Sequence, residues 1–167
     1  MTSPPRIVRR PSGQAGSWPD TMLPLLRRIY AARGVTDAQG AQPRLGQLLS
    51  PELLHNSGVA AELLADAIAQ QRRILVVGDF DCDGATACAV GVRGLRMLGA
   101  LDVHHAVPNR MVHRCGLSPA LVDELAALQP DVLVTVDHGI ACHAGVAASK
   151  APGWSVRVTD RHPTGGW

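Results

Sequence analysis

Ile74-Leu-Val-Val-Gly-Asp-Phe-Asp-Cys-Asp-Gly-Ala-Thr86 is the stretch from which the rest of the chain is read. Ile74 to Val77 is a short β-branched apolar run suited to a buried strand, and an alanine-rich segment of helical type begins just past Gly84. Between them stand Asp79, Asp81 and Asp83 on alternate residues. Ionised carboxylates this close raise one another's pKa and are comfortable only in solvent or beside a cation. A hard divalent metal satisfies them most simply. Gly84 allows a tight turn from strand to helix, and the helix amides after it can face an anion such as phosphate.

Other chemistries share parts of this pattern. Asp79, Asp81, Asp83 and Gly84 match the first half of an EF-hand loop. The twelfth loop position is Val90, however, where a bidentate Glu is needed, and a strand precedes the loop where a helix should be. Phosphatases with an aspartyl nucleophile also place two acids after a strand, and they need a Lys and more acids further on. A solvated acidic turn accounts for one or two acids at a strand end more readily than for three.

Composition sets the outer bounds. The chain has 167 residues and 46% apolar content, enough for one domain with a core. A net charge of +2 advertises no general nucleic-acid field, and 3% aromatic content argues against a stacking platform for single strands. No apolar run approaches the roughly 20 residues of a membrane span. Arg9-Arg10 is followed by Pro11 to Gly16, not by the apolar segment of an export signal, so a cytoplasmic location is expected. Cys82, Cys88, Cys115 and Cys142 lack Cys-x-x-Cys spacing and read as free thiols.

In chain order, residues 1–20 are rich in Pro, Ser, Gly and Arg and read as a disordered tail. Residues 21–70 form an N-terminal helical segment. In it Leu23, Leu26, Ile29 and Tyr30 mark one helix stopped at Gly34, Ser50 caps a short one at Pro51, and Val59 to Gln70 form a third. His55 reads as a surface residue. From residue 71 to residue 167 strand alternates with helix: strands at 74–78, 102–107, 131–136 and 155–159, helices at 85–98, 119–128 and 143–149. Repeated βα units predict an α/β fold, a parallel sheet with helices on both faces joined by right-handed crossovers.

The acids fall at strand ends. Asp79, Asp81 and Asp83 follow the first strand, Asp137 ends the third and Asp160 the fourth. The carboxyl ends of parallel strands share one edge of the sheet, where ligands bind, so acids distant in sequence converge there. His138, Arg161, His162, Asn109 and Arg110 come with them. Five carboxylates with imidazoles suit a pair of Mg²⁺ or Mn²⁺ ions. Arg110 and His113 can hold a substrate phosphate.

Val77-Gly-Asp-Phe-Asp-Cys-Asp-Gly-Ala-Thr86, Val107-Pro-Asn-Arg110, Gly116-Leu-Ser-Pro119, Val134-Thr-Val-Asp-His-Gly-Ile140 and Val158-Thr-Asp-Arg-His162 resemble successive motifs of the RecJ single-strand-specific DNA exonucleases, within the DHH phosphoesterase superfamily. The resemblance runs from about Leu23 to the last residue and covers the first part of such a protein. It implies that residues 71–167 are the N-terminal part of an incomplete DHH phosphoesterase domain. Asp81 and Asp83 would be metal ligands with Asp79 beside them, and Asp137 would bridge two Mn²⁺ or Mg²⁺ ions. Asp160 and His162 would hold the first and third places of the Asp-His-His signature. The implied activity is release of 5′-mononucleotides from the 5′ end of single-stranded DNA, in DNA repair and recombination.

The departures from that pattern are specific. The middle signature position is Arg161, a permanent cation with no lone pair to donate. His113-Arg-Cys-Gly-Leu-Ser118 replaces the family's His-Gly-Tyr-Gly-Leu-Ser, and His138 stands where Asn is common. The sequence stops five residues after His162, before the later metal-binding Asp, and so reads as a truncated copy with impaired activity. A small-nucleotide phosphoesterase of the same superfamily and a non-catalytic remnant or interaction module both remain open.

Overall fold

The computed structural model describes residues 8, 16–42, 44–113 and 116–162. The chain divides into two compact units, Met1–Leu53 and Leu54–Trp167. Of the tail expected at 1–20, residues 1–7 and 9–15 lie outside the described residues. Ser17 forms a β-bridge with Asp37, and the Trp18 ring stacks on Tyr30 with centroids 5.9 Å apart. The first unit holds helix α1, Pro24–Ala31, which starts on a proline because the first turn needs no amide donor there. Two 3₁₀ turns follow, Leu45–Gln47 and Pro51–Leu53.

The second unit opens with α2, Ser57–Ala69, and continues β1 Ile74–Val77, α3 Cys82–Met97, β2 Val103–Ala106, α4 Arg110–His113, α5 Pro119–Leu125, β3 Val132–Val136, α6 His143–Lys150 and β4 Ser155–Thr159. The four strands lie in the order β2-β1-β3-β4 with every pair parallel, so the fold is α/β with helices on both sheet faces. Helix α2, grouped by sequence with the helical segment before residue 70, lies in the unit that contains the sheet. Ala67 enters the sheet's core, and Leu64 and Ile68 pack against it.

Strand alternation sorts the side chains into two cores. Ile74, Val76, Val103, Val132 and Val134 meet Cys88, Val92 and Leu95 of α3 on one face. Leu75, Val77 and Leu133 meet Leu121, Val122 and Leu125 of α5, with Leu117 and Trp154, on the other. All four β1 side chains are buried, which is why this strand reads as an unbroken apolar run. Full burial of each such side chain stabilises the fold by about 1.5–3 kcal/mol before chain entropy is subtracted. At the amino ends of the strands Arg73 links three segments: its Nε donates to Asp102 at 2.8 Å, its Nη1 to the Leu128 carbonyl at 2.9 Å, and its amide to Asp131 at 2.8 Å. The opposite, carboxyl edge carries the acids.

Candidate functional site

Asp81 is the N-cap of α3. Its carboxylate accepts the Gly84 amide at 3.1 Å, and its carbonyl accepts the Ala85 amide at 2.9 Å. The helix therefore begins at Cys82, three residues before the alanine-rich segment suggested. Asp83 lies in its first turn, where the helix dipole favours a negative charge. Gly84 sits inside that turn and needs no unusual backbone angle. Its lack of a side chain matters because a Cβ there would lie 2.6 Å from the Asp79 amide nitrogen and 2.7 Å from its Cα. The glycine thus lets the helix start directly against the acidic loop, and this contact takes the place of the tight turn expected from sequence.

Asp137 comes from the end of β3 in a left-handed conformation, φ 64°, with its amide donating to the Thr159 carbonyl at 3.0 Å. Aspartate tolerates this backbone better than most L-residues. Gly139, two residues on, has φ +123°, and a Cβ would stand 2.6 Å from Thr135 Oγ1, so only glycine fits the turn. Between them His138 is buried and its Nε2 donates to the Val77 carbonyl at 3.1 Å, joining the end of β3 to that of β1. Burial lowers the His138 pKa despite the negative charges of Asp79 and Asp160, so the ring is neutral. Among the described residues its buried Nδ1 has no hydrogen-bond partner.

These local geometries bring oxygens of Asp81, Asp83 and Asp137 to within 4.8 Å of one another. Among the described residues this is the group of three or more His, Cys, Asp or Glu side chains close enough to share an ion. Asp79 and Asp160 are outside it. Asp79 accepts the Phe80 amide at 2.8 Å. The Asp160 side chain is enclosed, at 3% exposure: one oxygen accepts the Ile140 amide at 3.0 Å, and the other accepts the His162 amide at 3.0 Å and meets His162 Nδ1 at 2.7 Å. Asp160 thereby fixes the loop after β3 and the position of His162.

Burial alone would raise the Asp160 pKa, but the His162 and Ile140 amides and the His162 ring outweigh it and hold the value below the ordinary carboxylate range. A depressed native pKa contributes stability that is present above the unfolded value of about 3.9 and lost as pH falls through the native value. Asp160→Asn is therefore expected to be less stable than the native chain at pH 7, with the difference shrinking in acid. Urea unfolding from pH 7 down to pH 3 checks this, and a constant difference would contradict it.

Arg161 lies on two of the three acids. Its Nε donates to Asp137 Oδ1 at 2.9 Å and its Nη2 donates to Asp83 Oδ2. The Asp137 carboxylate and then Asp83 raise the guanidinium pKa. Asp83 is held below its ordinary value, first by a backbone amide hydrogen bond, then by hydrogen bonding with Asp81 and by Arg161. The sequence showed Arg161 as a cation near the acids but not that it would bridge two of them, because the β3 and β4 ends meet only in the folded sheet.

Arg110 is exposed, and its guanidinium lies 4.7 Å from the centroid of the Phe80 ring, beside the acidic loop. The reading of His113 as a phosphate ligand is corrected. It is buried, its Nδ1 accepts the Asn109 amide at 3.0 Å, and its Nε2 donates to Glu124 at 2.9 Å. Both ring nitrogens are thus committed to bracing the short helix α4, which the sequence reading missed. The signal available was Asn109, whose Oδ1 accepts the Met111 amide at 3.0 Å and so caps that turn.

Three hard oxygen donors from two strand ends fit a divalent ion such as Mn²⁺ or Mg²⁺. The guanidinium of Arg161 lies on two of them, Asp83 and Asp137, so in this arrangement the three donors are not all free to an ion.

The chain is 45% identical over 160 residues to the single-stranded-DNA-specific exonuclease RecJ of Dickeya dadantii (strain 3937), covering 96% of this chain and 28% of that protein. To the RecJ of Escherichia coli (strain K12) it is 42% identical, with the same coverage of 96% and 28%. It therefore spans about 28% of the length of these relatives. It also superposes on the crystal structure of exonuclease RecJ bound to manganese with a TM-score of 0.64 at 40% identity, over 72% of this chain and 31% of that one. On the RecJ of Thermus thermophilus in complex with Mn²⁺ the TM-score is 0.60 at 36% identity, over 83% and 19%. Residues 73–166, from the start of β1 past the last acid of the sheet edge, match the DHH family, N-terminal domain, and with that match covering more than half its length the chain belongs to the DHH family.

Proposed function

We propose that this chain carries the metal-binding part of a single-strand-specific 5′→3′ DNA exonuclease of RecJ type, a cytoplasmic phosphodiesterase of DNA repair and recombination, with impaired activity. The observation that supports it most is the meeting of Asp81, Asp83 and Asp137 at the carboxyl edge of the sheet, in a chain 45% identical to a RecJ over 160 residues. In this reading the three carboxylates hold Mn²⁺ or Mg²⁺, with Asp79 and Asp160 as supporting acids, and residues 71–167 are the N-terminal part of the DHH domain. A divalent ion there supplies Lewis acidity toward a phosphodiester. Arg110 offers a cation to the backbone of single-stranded DNA, and the hydrogen bonds that His162 donates to Asp160 orient it at the edge of the site. Among the described residues no helix is long and apolar enough to cross a membrane.

Arg161, lying on Asp83 and Asp137, favours a second reading in which the chain binds but does not cut. The test uses the native chain and Arg161→His on a 5′-labelled single strand, its duplex and a dinucleotide, with Mn²⁺ and with chelator. Cleavage is expected to be slight in the native chain, to require Mn²⁺, to prefer the single strand and to release 5′-mononucleotides. Preference for the dinucleotide would assign a small-nucleotide phosphoesterase. Mn²⁺ binding without any cleavage in either chain would assign the non-catalytic reading, and cleavage that survives chelation would sink both metal-dependent ones.

A further inference from the structure

We propose that Arg161 is a resident cation of the carboxylate cluster, holding its acids together without metal and competing with any divalent ion that enters. This rests on the metal reading of the site and goes beyond it. A position that merely lacks a metal ligand would leave the acids open; here the position is filled by a group that binds them.

The guanidinium is planar, always charged and donates in a fixed fork, which suits two carboxylates presented from different strands. Its Nε takes Asp137 from the end of β3 and its Nη2 takes Asp83 from the first turn of α3. Three ionised acids left alone would repel one another, and one positive charge among them relieves part of that repulsion. The Asp137 carboxylate is 6% exposed whereas the Arg161 side chain is 65% exposed, so the arginine covers the inner acid from the solvent side. An ion approaching Asp137 from solvent therefore has to displace a group that is free to swing outward. The site is thus closed at low metal concentration and opens only when the ion outcompetes the arginine.

The distinguishing variant is Arg161→Ala, which removes the cation without restoring a ligand. If a missing ligand were the whole defect, Mn²⁺ affinity would be unchanged; if the guanidinium competes, affinity should rise by about 10-fold or more, the scale on which groups around a metal site act. The Arg161 side chain is 65% exposed, so its loss leaves the fold intact, which circular dichroism checks. Arg93→Gln, a charge loss at an exposed position on α3, serves as the control and should leave affinity nearly unchanged. Calorimetry with Mn²⁺ on the native chain and both variants, together with the Mn²⁺-induced shift in melting temperature, reads the result. A larger Mn²⁺ shift for Arg161→Ala than for the native chain supports the proposal. Equal Mn²⁺ affinity in all three overturns it while leaving the metal reading intact. Folded chains that all fail to bind Mn²⁺ overturn both.

Discussion

Asp137→Asn is expected to lower Mn²⁺ affinity by about 100-fold or more, the upper end of the range for groups that orient or hold a metal, while the folded chain stays intact. Asp137 is the member of the cluster that comes from a separate strand and the one whose side chain is most enclosed, at 6% exposure. Without its charge the two remaining acids, Asp81 and Asp83, belong to one helix start and lie on the solvent side. Asparagine preserves the size of the side chain and is at home at φ 64°, so backbone strain does not confuse the outcome. Asp137→Ala is a poorer probe, because alanine in the left-handed region costs about 1 kcal/mol in addition. The measurement is calorimetric titration in both the native chain and Arg161→Ala, where the guanidinium no longer competes. In a double-mutant cycle the two substitutions should be non-additive, since both act on the same carboxylate. Unchanged Mn²⁺ binding by Asp137→Asn would remove this cluster from consideration as the metal site.

Gly84→Ala and Gly94→Ala should have opposite signs, although both place alanine in the same helix. Alanine is favoured over glycine by about 1 kcal/mol in a helix interior. At Gly94 nothing lies within 4 Å of an added Cβ, so that preference should appear as a gain of roughly this size. At Gly84 the new Cβ would meet the Asp79 amide nitrogen and Cβ at 2.6 Å and its Cα at 2.7 Å. These are largely backbone atoms of a loop packed on the sheet edge, and forcing such an overlap typically costs about 1–3 kcal/mol or more. The collision outweighs the propensity, and the net result should be destabilisation measurable by urea unfolding. Displacing the Asp79 loop should also weaken Mn²⁺ binding, whereas Gly94→Ala should leave it alone. A stabilised Gly84→Ala chain would show that helix and loop are not in the contact described.

Periodicity and spacing account for what is legible in this chain without its coordinates. Ile74 to Val77 and Val132 to Val136 read as strands because parallel strands covered on both faces need nearly uninterrupted apolar side chains, whereas Ser155 to Thr159, at the sheet's edge, shows the alternation of a half-covered strand. Ser118 before Pro119 marks the start of α5, and its side chain does accept the Leu121 amide, because a capping hydrogen bond is made within four residues. The strand-end placement of Asp81, Asp83 and Asp137 then follows from topology alone, since parallel strands put all their carboxyl ends on one edge. The rest was settled by contacts between distant segments. The start of α3 depends on whether Asp81 faces its own helix amides, and α4 is one turn whose stability lies in the His113 ring and its partner Glu124 on α5. The same pairing buries an imidazole that by residue type could hold a phosphate. Arg161 shows the limit most clearly. As a residue it is only a cation following Asp160, and its partners are 24 and 78 positions away in the chain. Whether it repels a metal, replaces one or merely faces solvent is set by the through-space approach of three strand and helix ends, which local sequence does not encode.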